Sequence, residues 1–353
     1  MESTIVHYAS ASEIAFPIGT VYAALKDSMI TSPFTSLLFA FTILLSEALP
    51  FAKQQVPTSR IMSPMGENIK DATTTSVLSE EQVRTFERDG VLLVRGLVRG
   101  EELKAAMNDV EEVGREESKM FGAAYKNIAF NHCRTSKALK NVAFHSDVPK
   151  AAAQLINLKL TNPNRPVRML KDAVLNFSPG RSGCGWHVDD KGFWPADDSS
   201  NGVNVWIALS PMPKSLGGGL AVSPGSHISN FNREARQFIA GGNTCAMESL
   251  SPETHQKLED MKVIYDMQPG DAIIHDRWLF HRSDNFAEGT PKDTVLNRYS
   301  IRYMPGEALA YDNHFDPVYL DPKYKGKENM QLNQYGGYFP QVFPNVLASE
   351  DEL

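Results

Sequence analysis

The sequence predicts an α+β fold whose core is a closed or double-layered β-sheet. The chain has 353 residues, 42% of them hydrophobic, so it can bury a substantial core. Helical patterns dominate residues 79–158, whereas residues 168–304 contain short β-rich segments separated by Gly, Pro, Asn and Ser. Helices followed by a series of short strands are typical of α+β proteins with a sandwich or small barrel.

The first 77 residues differ in character from the rest. Residues 34–45 read FTSLLFAFTILL, an uncharged run that is too short to span a bilayer but suits the hydrophobic region of a signal peptide. We therefore expect residues 1–52 to be a targeting segment that is removed on maturation, with a helix packed on the domain surface as the alternative. Residues 53–77 are polar and rich in Ser, Thr and Pro, which predicts a disordered linker.

The C-terminus and the net charge bear on location and partners. Residues 346–353 form an acidic tail ending in EDEL, which approaches the ER-retention consensus. Together with the N-terminal segment, it predicts the secretory pathway, the ER lumen or an organelle, with the cytoplasm as the alternative. The net charge of −7 argues against a nucleic-acid partner, and no stable membrane span is expected in the mature protein. The oligomeric state is not indicated.

Helical patterns fill the first part of the folded domain, which is expected to span residues 78–345. Ser79 and Gln82 have the spacing of a capping box at the start of a helix. Asp147 precedes Pro149 and an alanine-rich run, the usual order of an N-cap and a first-turn proline. The predicted helices are residues 79–89, 101–117 and 148–158, with a buried strand at residues 91–94.

Strand-like segments follow in the second part of the domain. They are short, rich in β-branched and aromatic residues, and bounded by turn residues. One helix interrupts the series, with Ser251 as its N-cap and Pro252 at its first position. The predicted strands are residues 168–177, 204–209, 219–222, 262–267, 271–275 and 298–304.

The motif that carries chemistry is His187-Val188-Asp189, which follows a predicted strand and a Pro-Gly turn. In an extended segment, residues i and i+2 point to the same side, so the motif presents an imidazole and a carboxylate side by side. Two imidazoles and one carboxylate occupy one face of an octahedral Fe(II) and leave three positions open. The motif therefore predicts two ligands of such a site, with a polar surface turn as the alternative.

The third ligand has to come from a distant histidine. A second His-x-Asp pattern at residues 145–147 is discounted, because Asp147 is expected to cap a helix. Arg298, Ser300 and Arg302 share one face of a later strand, where a guanidinium could bind a carboxylate with two parallel hydrogen bonds. An ordinary ion pair or a solvated side chain is the alternative for Arg298. The candidate histidines are His227, His255, His275, His281 and His314.

From about Leu78 to Pro305, the sequence resembles the phytanoyl-CoA dioxygenase (PhyH-like) family of Fe(II)/2-oxoglutarate-dependent oxygenases. The matching segments, in the order of the family, are LSEEQVRTFERDGVLLVRGLV, GWHVDD, GGGLAVSPGSH, PGDAIIHDRWLFHRSDN and NRYSIRYMP. Such an ordered set is far more specific than a lone His-x-Asp motif. The resemblance implies a double-stranded β-helix core of the jelly-roll or cupin type, flanked by N-terminal helices.

The resemblance also implies the residues of the site. It assigns His187, Asp189 and His281 to the iron as metal-binding and catalytic residues. It assigns Arg298 to the distal carboxylate of 2-oxoglutarate, and it implies that Ser283 and Trp206 line the same cosubstrate pocket. The histidine of the PGSH turn, His227, is interpreted as structural.

Two alternatives stay open in this assignment. His275 competes with His281, although only His281 precedes the Ser-x-Asn spacing of the family. Residues 287–293 make the connection that follows His281 longer than is usual in the family, so Arg302 competes with Arg298. Residues 229–261 match no firm family feature and are expected to contribute to a substrate lid.

The implied reaction is hydroxylation of an unactivated C–H bond of a small, lipid-derived or acidic molecule, with release of succinate and CO2. Fe(II) is the implied cofactor, 2-oxoglutarate and O2 are cosubstrates, and ascorbate serves as a reductant. Because Asp189 fills the carboxylate position, hydroxylation is favoured over halogenation. The alternatives are a catalytically silent cupin-like binding protein and a zinc hydrolase, whose catalytic sites also use His and carboxylate ligands.

Overall fold

The computed structural model describes most of the folded domain. The predicted targeting segment, the acidic tail and all but Ser76 and Val77 of the predicted linker lie outside the described residues. Among the residues that are described, no helix combines the length and the apolar character that crossing a bilayer requires. The described residues are 76–115, 124–158, 162–189, 193–194, 196–197, 200–228, 251–310 and 330–344.

Helices precede the main sheet, and their termini follow the local sequence. In the capping box of the first helix, Gln82 N donates to Ser79 Oγ at 3.2 Å and Ser79 N donates to Gln82 Oε1 at 2.8 Å. Gly90 ends this helix at φ 69°, a backbone conformation that favours glycine. A Cβ on Gly90 would also collide with the His227 ring. The helices are α1 (Glu80–Asp89), α2 (Gly100–Val113), α3 (Lys137–Phe144), α4 (Val148–Ile156) and, later, α5 (Pro252–Asp260).

The strands form two antiparallel sheets. The larger sheet has the order β1-β7-β4-β9-β3-β10, with β2 also paired to β3, and the smaller sheet has the order β6-β5-β8. The strands are β1 (Val91–Val94), β2 (Asn127–Phe130), β3 (Val167–Phe177), β4 (Val203–Ala208), β5 (Leu220–Val222), β6 (Val263–Ile264), β7 (Ala272–Asp276), β8 (His281–Ser283), β9 (Leu296–Pro305) and β10 (Gln341–Phe343). This is the expected α+β jelly-roll core with helices on its flank.

The period-two alternation of the strands separates two environments. Val205 and Tyr299 belong to the large hydrophobic cluster that also contains the buried faces of the helices. Trp206, the neighbour of Val205, belongs instead to a cluster with residues of the smaller sheet. Arg298 and Arg302 differ from Tyr299 by an odd number of positions, so they lie on the face of β9 that Tyr299 leaves free. The face of β9 that is turned away from the helices therefore carries Arg298 and Arg302.

The predicted elements are present, with shifted ends, and the prediction missed α3, β2, β8 and β10. The other two predicted N-cap residues, Ser251 of α5 and Asp147 of α4, stand at the N-cap positions, but neither makes a side-chain capping hydrogen bond. Instead, Val148 N donates to Ser146 Oγ at 3.0 Å. The Asp147 carboxylate pairs with Lys150 at 3.0 Å, because a lysine one turn into the helix offers it a full charge.

Candidate active site

The His187–Asp189 segment runs alongside β8, which begins with His281. His187 N donates to His281 O at 3.1 Å, and His281 N donates to His187 O at 3.0 Å, so the two residues form an antiparallel bridge. Directly opposed residues of an antiparallel pair have neighbouring side chains. The backbone therefore brings together two histidines that are remote in sequence.

Both imidazoles are oriented by the same kind of hydrogen bond, from Nδ1 to the backbone carbonyl two residues earlier. His187 Nδ1 lies 2.7 Å from Gly185 O, and His281 Nδ1 lies 3.0 Å from Leu279 O. Because a carbonyl oxygen can only accept, each Nδ1 carries the proton and donates it. In a neutral ring the lone pair is then on Nε2, which is the tautomer that a metal ligand needs.

Asp189 completes a compact set of donor atoms. One ligand atom from each of His187, Asp189 and His281 lies within 4.8 Å of the others. Asp189 Oδ1 is 3.7 Å from His187 Nε2 and 3.5 Å from His281 Nε2. Two atoms that each bind one ion at about 2.1 Å can be at most about 4.2 Å apart, so the two distances from Asp189 Oδ1 fit a shared metal. Two imidazoles and one carboxylate also match the donor set of non-haem Fe(II) oxygenases.

Arg302 is the ionic partner of Asp189. Its Nε and Nη2 donate to Asp189 Oδ2 at 3.1 Å and 2.7 Å, and both side chains are buried, with exposures of 3% and 4%. Burial alone would raise the pKa of Asp189, but Arg302 and the two imidazoles hold it well below its ordinary value. Asp189 is therefore a carboxylate whose second oxygen, Oδ1, faces the histidines.

His275 lies beside the site but outside the group of converging ligand atoms. Its ring centroid is 4.6 Å from that of His281, and its Nδ1 donates to Asp276 O at 2.9 Å. Burial, followed by the influence of His281, lowers the pKa of His275 to about 3. His275 is thus a neutral ring that packs against a candidate ligand.

In the metal-free protein, His275 is expected to make stability depend on pH. The unfolded chain takes up a proton near pH 6.5, whereas the folded protein does so only at about pH 3. Stability is therefore lost as the pH falls through this range, by up to about 1.4 kcal/mol per pH unit. His275→Gln should reduce the slope of unfolding free energy against pH, measured by urea unfolding in EDTA. Equal slopes for parent and variant would show that His275 is protonated in the folded protein.

Arg298 is a buried cation at the other end of the same strand face. Its Nη1 donates to Ser283 Oγ at 2.9 Å, and its Nη2 donates to Gly218 O. The guanidinium carbon lies 4.6 Å from the Phe177 ring centroid and 5.2 Å from that of Trp206. Burial lowers the pKa of Arg298 to about 10, so it stays charged at neutral pH. No carboxylate of the described residues forms an ion pair with it.

Three contacts in and around the site were not predicted from the sequence. Tyr125 OH lies 3.4 Å from Ser283 Oγ, and no motif marks this tyrosine. The Trp186 indole, next to His187, donates to Glu259 Oε1 on α5 at 2.7 Å. The pairing of Arg302 with Asp189 was also missed, because strand alternation shows only that Arg302 lies on the same face of β9 as Arg298 and does not show its partner.

The remaining histidine candidates lie elsewhere. His145 is an exposed residue at the end of α3, and His227 packs its ring against Gly90. His255 is on α5, with its Nε2 3.9 Å from Glu259 Oε1. His314 and residues 229–250 of the predicted lid lie outside the described residues.

Comparisons with known proteins agree with this architecture. The chain is 28% identical over 250 residues to the ectoine dioxygenase of Nocardia farcinica, which covers 64% of this chain and 79% of that protein. The non-heme alpha ketoglutarate dependent carbocyclase SnoK from nogalamycin biosynthesis is similar in structure, with a TM-score of 0.59 and 22% identity over 75% of this chain and 97% of that one. The epimerase SnoN, solved with Fe3+, alpha ketoglutarate and nogalamycin RO, has a TM-score of 0.55 and 18% identity over 74% and 98% of the two chains.

The family model provides the assignment. The model for phytanoyl-CoA dioxygenase (PhyH) matches residues 86–287, more than half of the sequence, and this range includes the His187–Asp189 segment and β8. The solved neighbours share the jelly-roll architecture. The chain therefore belongs to the phytanoyl-CoA dioxygenase (PhyH) family and is an Fe(II)/2-oxoglutarate-dependent dioxygenase.

Proposed function

We propose that this dioxygenase hydroxylates a C–H bond of a small organic molecule, with His187, Asp189 and His281 as the iron ligands. In the overall reaction, 2-oxoglutarate, O2 and R–H give succinate, CO2 and R–OH. Arg298 binds the distal carboxylate of 2-oxoglutarate, and Ser283 and Trp206 line the same pocket.

The observation that carries the proposal is the contrast between two buried arginines. Arg302 is neutralised by Asp189 at 2.7 Å, whereas no carboxylate of the described residues pairs with Arg298. A buried charge without a counterion is costly, so an anionic ligand would complete the surroundings of Arg298. A zinc hydrolase would give this arginine no role, whereas a dicarboxylic cosubstrate accounts for it.

The residues of the chain prepare the site before any ligand arrives. The backbone carbonyls of Gly185 and Leu279 hold the two imidazoles, whose Nε2 atoms lie 3.7 Å and 3.5 Å from Asp189 Oδ1. Phe177 and Trp206 flank the Arg298 guanidinium and keep water away from its bond to a carboxylate, which strengthens that bond. Fe(II), when bound, supplies the activation of O2 that couples decarboxylation of the 2-oxo acid to oxidation of the substrate.

The substrate is proposed at the level of a small molecule. The ectoine dioxygenase of Nocardia farcinica is named for a small organic solute, and the solved SnoN complex contains nogalamycin RO. Both support a small molecule as the substrate of this chain, and neither specifies which one.

The proposal is tested by anaerobic titration of the protein with Fe(II) and 2-oxoglutarate, followed by addition of O2. We expect a visible charge-transfer absorption on chelation of the 2-oxo acid, and succinate formation after O2 is added with ascorbate present. Incubation with a metabolite mixture should then give a product heavier than its precursor by one oxygen atom. A charge-transfer absorption without succinate formation, whichever metabolite mixture is added, would indicate a binding protein. Conversion of a metabolite with Zn(II) in place of Fe(II) would indicate a hydrolase.

A further inference from the structure

We propose that Arg302 is a positioning residue that restricts Asp189 to binding the metal through one oxygen atom. This inference rests on the proposed function, because it takes Asp189 to be a ligand. It concerns a different property, namely how many coordination positions remain for the 2-oxo acid and O2.

The two oxygens of Asp189 have separate partners. Oδ2 accepts hydrogen bonds from Nε and Nη2 of Arg302, and Oδ1 is the atom that faces His187 Nε2 and His281 Nε2. A carboxylate that binds metal can do so through one oxygen or through both. Occupation of Oδ2 by the guanidinium fork leaves only Oδ1 for the metal.

Arg302 is itself held in place. Its guanidinium carbon lies 4.5 Å from the Phe193 ring centroid, and the residue is 2% exposed. Its backbone partners in the sheet are Lys171 on β3 and Asn204 on β4. A planar guanidinium on an aromatic face has a fixed set of donor directions, so it orients the carboxylate as a flexible ammonium group would not.

The two arginines of β9 have different tasks because they are far apart on the strand. Arg302 lies four positions after Arg298, which is about 13 Å along an extended strand. Arg298 contacts Ser283, at the end of β8, whereas Arg302 contacts Asp189. One strand face thus carries a site for the cosubstrate carboxylate and a support for the ligand carboxylate.

The consequence concerns the open coordination positions. A facial triad of three single-atom ligands leaves three positions on an octahedral ion. A second Asp189 oxygen on the metal would take one of them, which is needed by either the 2-oxo acid or O2. By occupying Oδ2, Arg302 keeps that position free.

The test counts water molecules on Mn(II) bound to the protein, by water-proton NMR relaxation with and without 2-oxoglutarate. In Arg302→Lys, the charge remains but the fork is lost, so we expect about one fewer metal-bound water than in the parent. Arg302→Gln, which keeps a hydrogen-bond donor without the charge, should show the same loss. A merely structural role would lower the melting temperature without changing the number of waters.

Arg282→Lys is the matched control, because Arg282 is a partly buried arginine, with its side chain 13% exposed, that pairs with carboxylates at 3.0 Å from both Glu259 and Asp284. It has no ion pair with Asp189, so the parent number of waters is expected. An equal or larger number of waters in both Arg302 variants would overturn the inference. If the parent fails to bind Mn(II), or if Asp189→Ala binds it equally well, the proposed metal site itself is wrong.

Discussion

Replacement of Asp189 by alanine is expected to abolish succinate formation and to destabilise the metal-free protein by about 3–5 kcal/mol. The first effect follows from the proposed role of Asp189 as a metal ligand. The second follows from Arg302, whose side chain is 3% exposed and would lose its only ion-pair partner among the described residues. Breaking a buried pair from one side is costly because the remaining charge is uncompensated. Succinate assays and urea unfolding in EDTA measure the two effects.

Two further variants separate the effects. His281→Ala should also abolish turnover, but without the large loss of stability, since it leaves no charge unpaired. Asp189→Ala combined with Arg302→Met should recover much of the stability and none of the activity, because apolar residues can replace a buried ion pair at little cost. Turnover by Asp189→Ala at the rate of the parent would contradict the metal assignment. Unchanged stability of this variant would show that Arg302 is solvated or paired elsewhere.

The main elements of the fold were predictable because their signals are local. The capping box at Ser79 and the alternating pattern of β9 can each be recognised from a few consecutive residues. Strand β8 contains only His281, Arg282 and Ser283, too few residues for an alternation to be recognised. Its existence depends on pairing with β5, which is a property of the sheet and not of the segment.

The candidate site shows the same limit. The spacing of His187 and Asp189 predicts that they are adjacent, but the choice between His275 and His281 depends on which strand lies beside them. Asp189 and Arg302 are 113 positions apart, and both arginines of β9 share a face, so alternation could not distinguish their partners. The register of β9 in the sheet makes the distinction, because it places the two guanidiniums next to different neighbours.

Among the described residues, the site combines one carboxylate, Asp189, with two buried guanidiniums, and this balance gives it a preference for an anion. Arg302 and Asp189 cancel each other at contact distance. Arg298 then remains as a positive charge in surroundings made of Phe177, Trp206, a hydroxyl and a carbonyl. In such a weakly polar environment a charge is poorly screened, so an incoming carboxylate gains more there than at the surface.

Arg298→Gln is therefore expected to weaken the use of 2-oxoglutarate strongly and specifically. Losing one partner of a buried, hydrogen-bonded charge pair costs on the order of 3 kcal/mol, or roughly 100-fold in kcat/KM. The loss should be confined to cosubstrates with a distal carboxylate, because the Arg298 guanidinium bonds to Ser283 and Gly218 and not to His187, Asp189 or His281. With 2-oxobutyrate, which lacks that group, parent and variant should have similar low rates. The measurement is the ratio of kcat/KM for the two 2-oxo acids, from initial rates of CO2 release.

Arg282→Gln is the control for this ratio, because Arg282 is a partly buried arginine of β8 whose ion-pair partners are Glu259 and Asp284. The parent preference for 2-oxoglutarate should persist in it. If the Arg298 variant still prefers 2-oxoglutarate by the same factor as the parent, the assignment of the distal carboxylate to Arg298 is wrong. If the preference for 2-oxoglutarate disappears when Arg302 is replaced but persists when Arg298 is replaced, Arg302 and not Arg298 binds the cosubstrate carboxylate. That result would also remove the basis for a positioning role of Arg302.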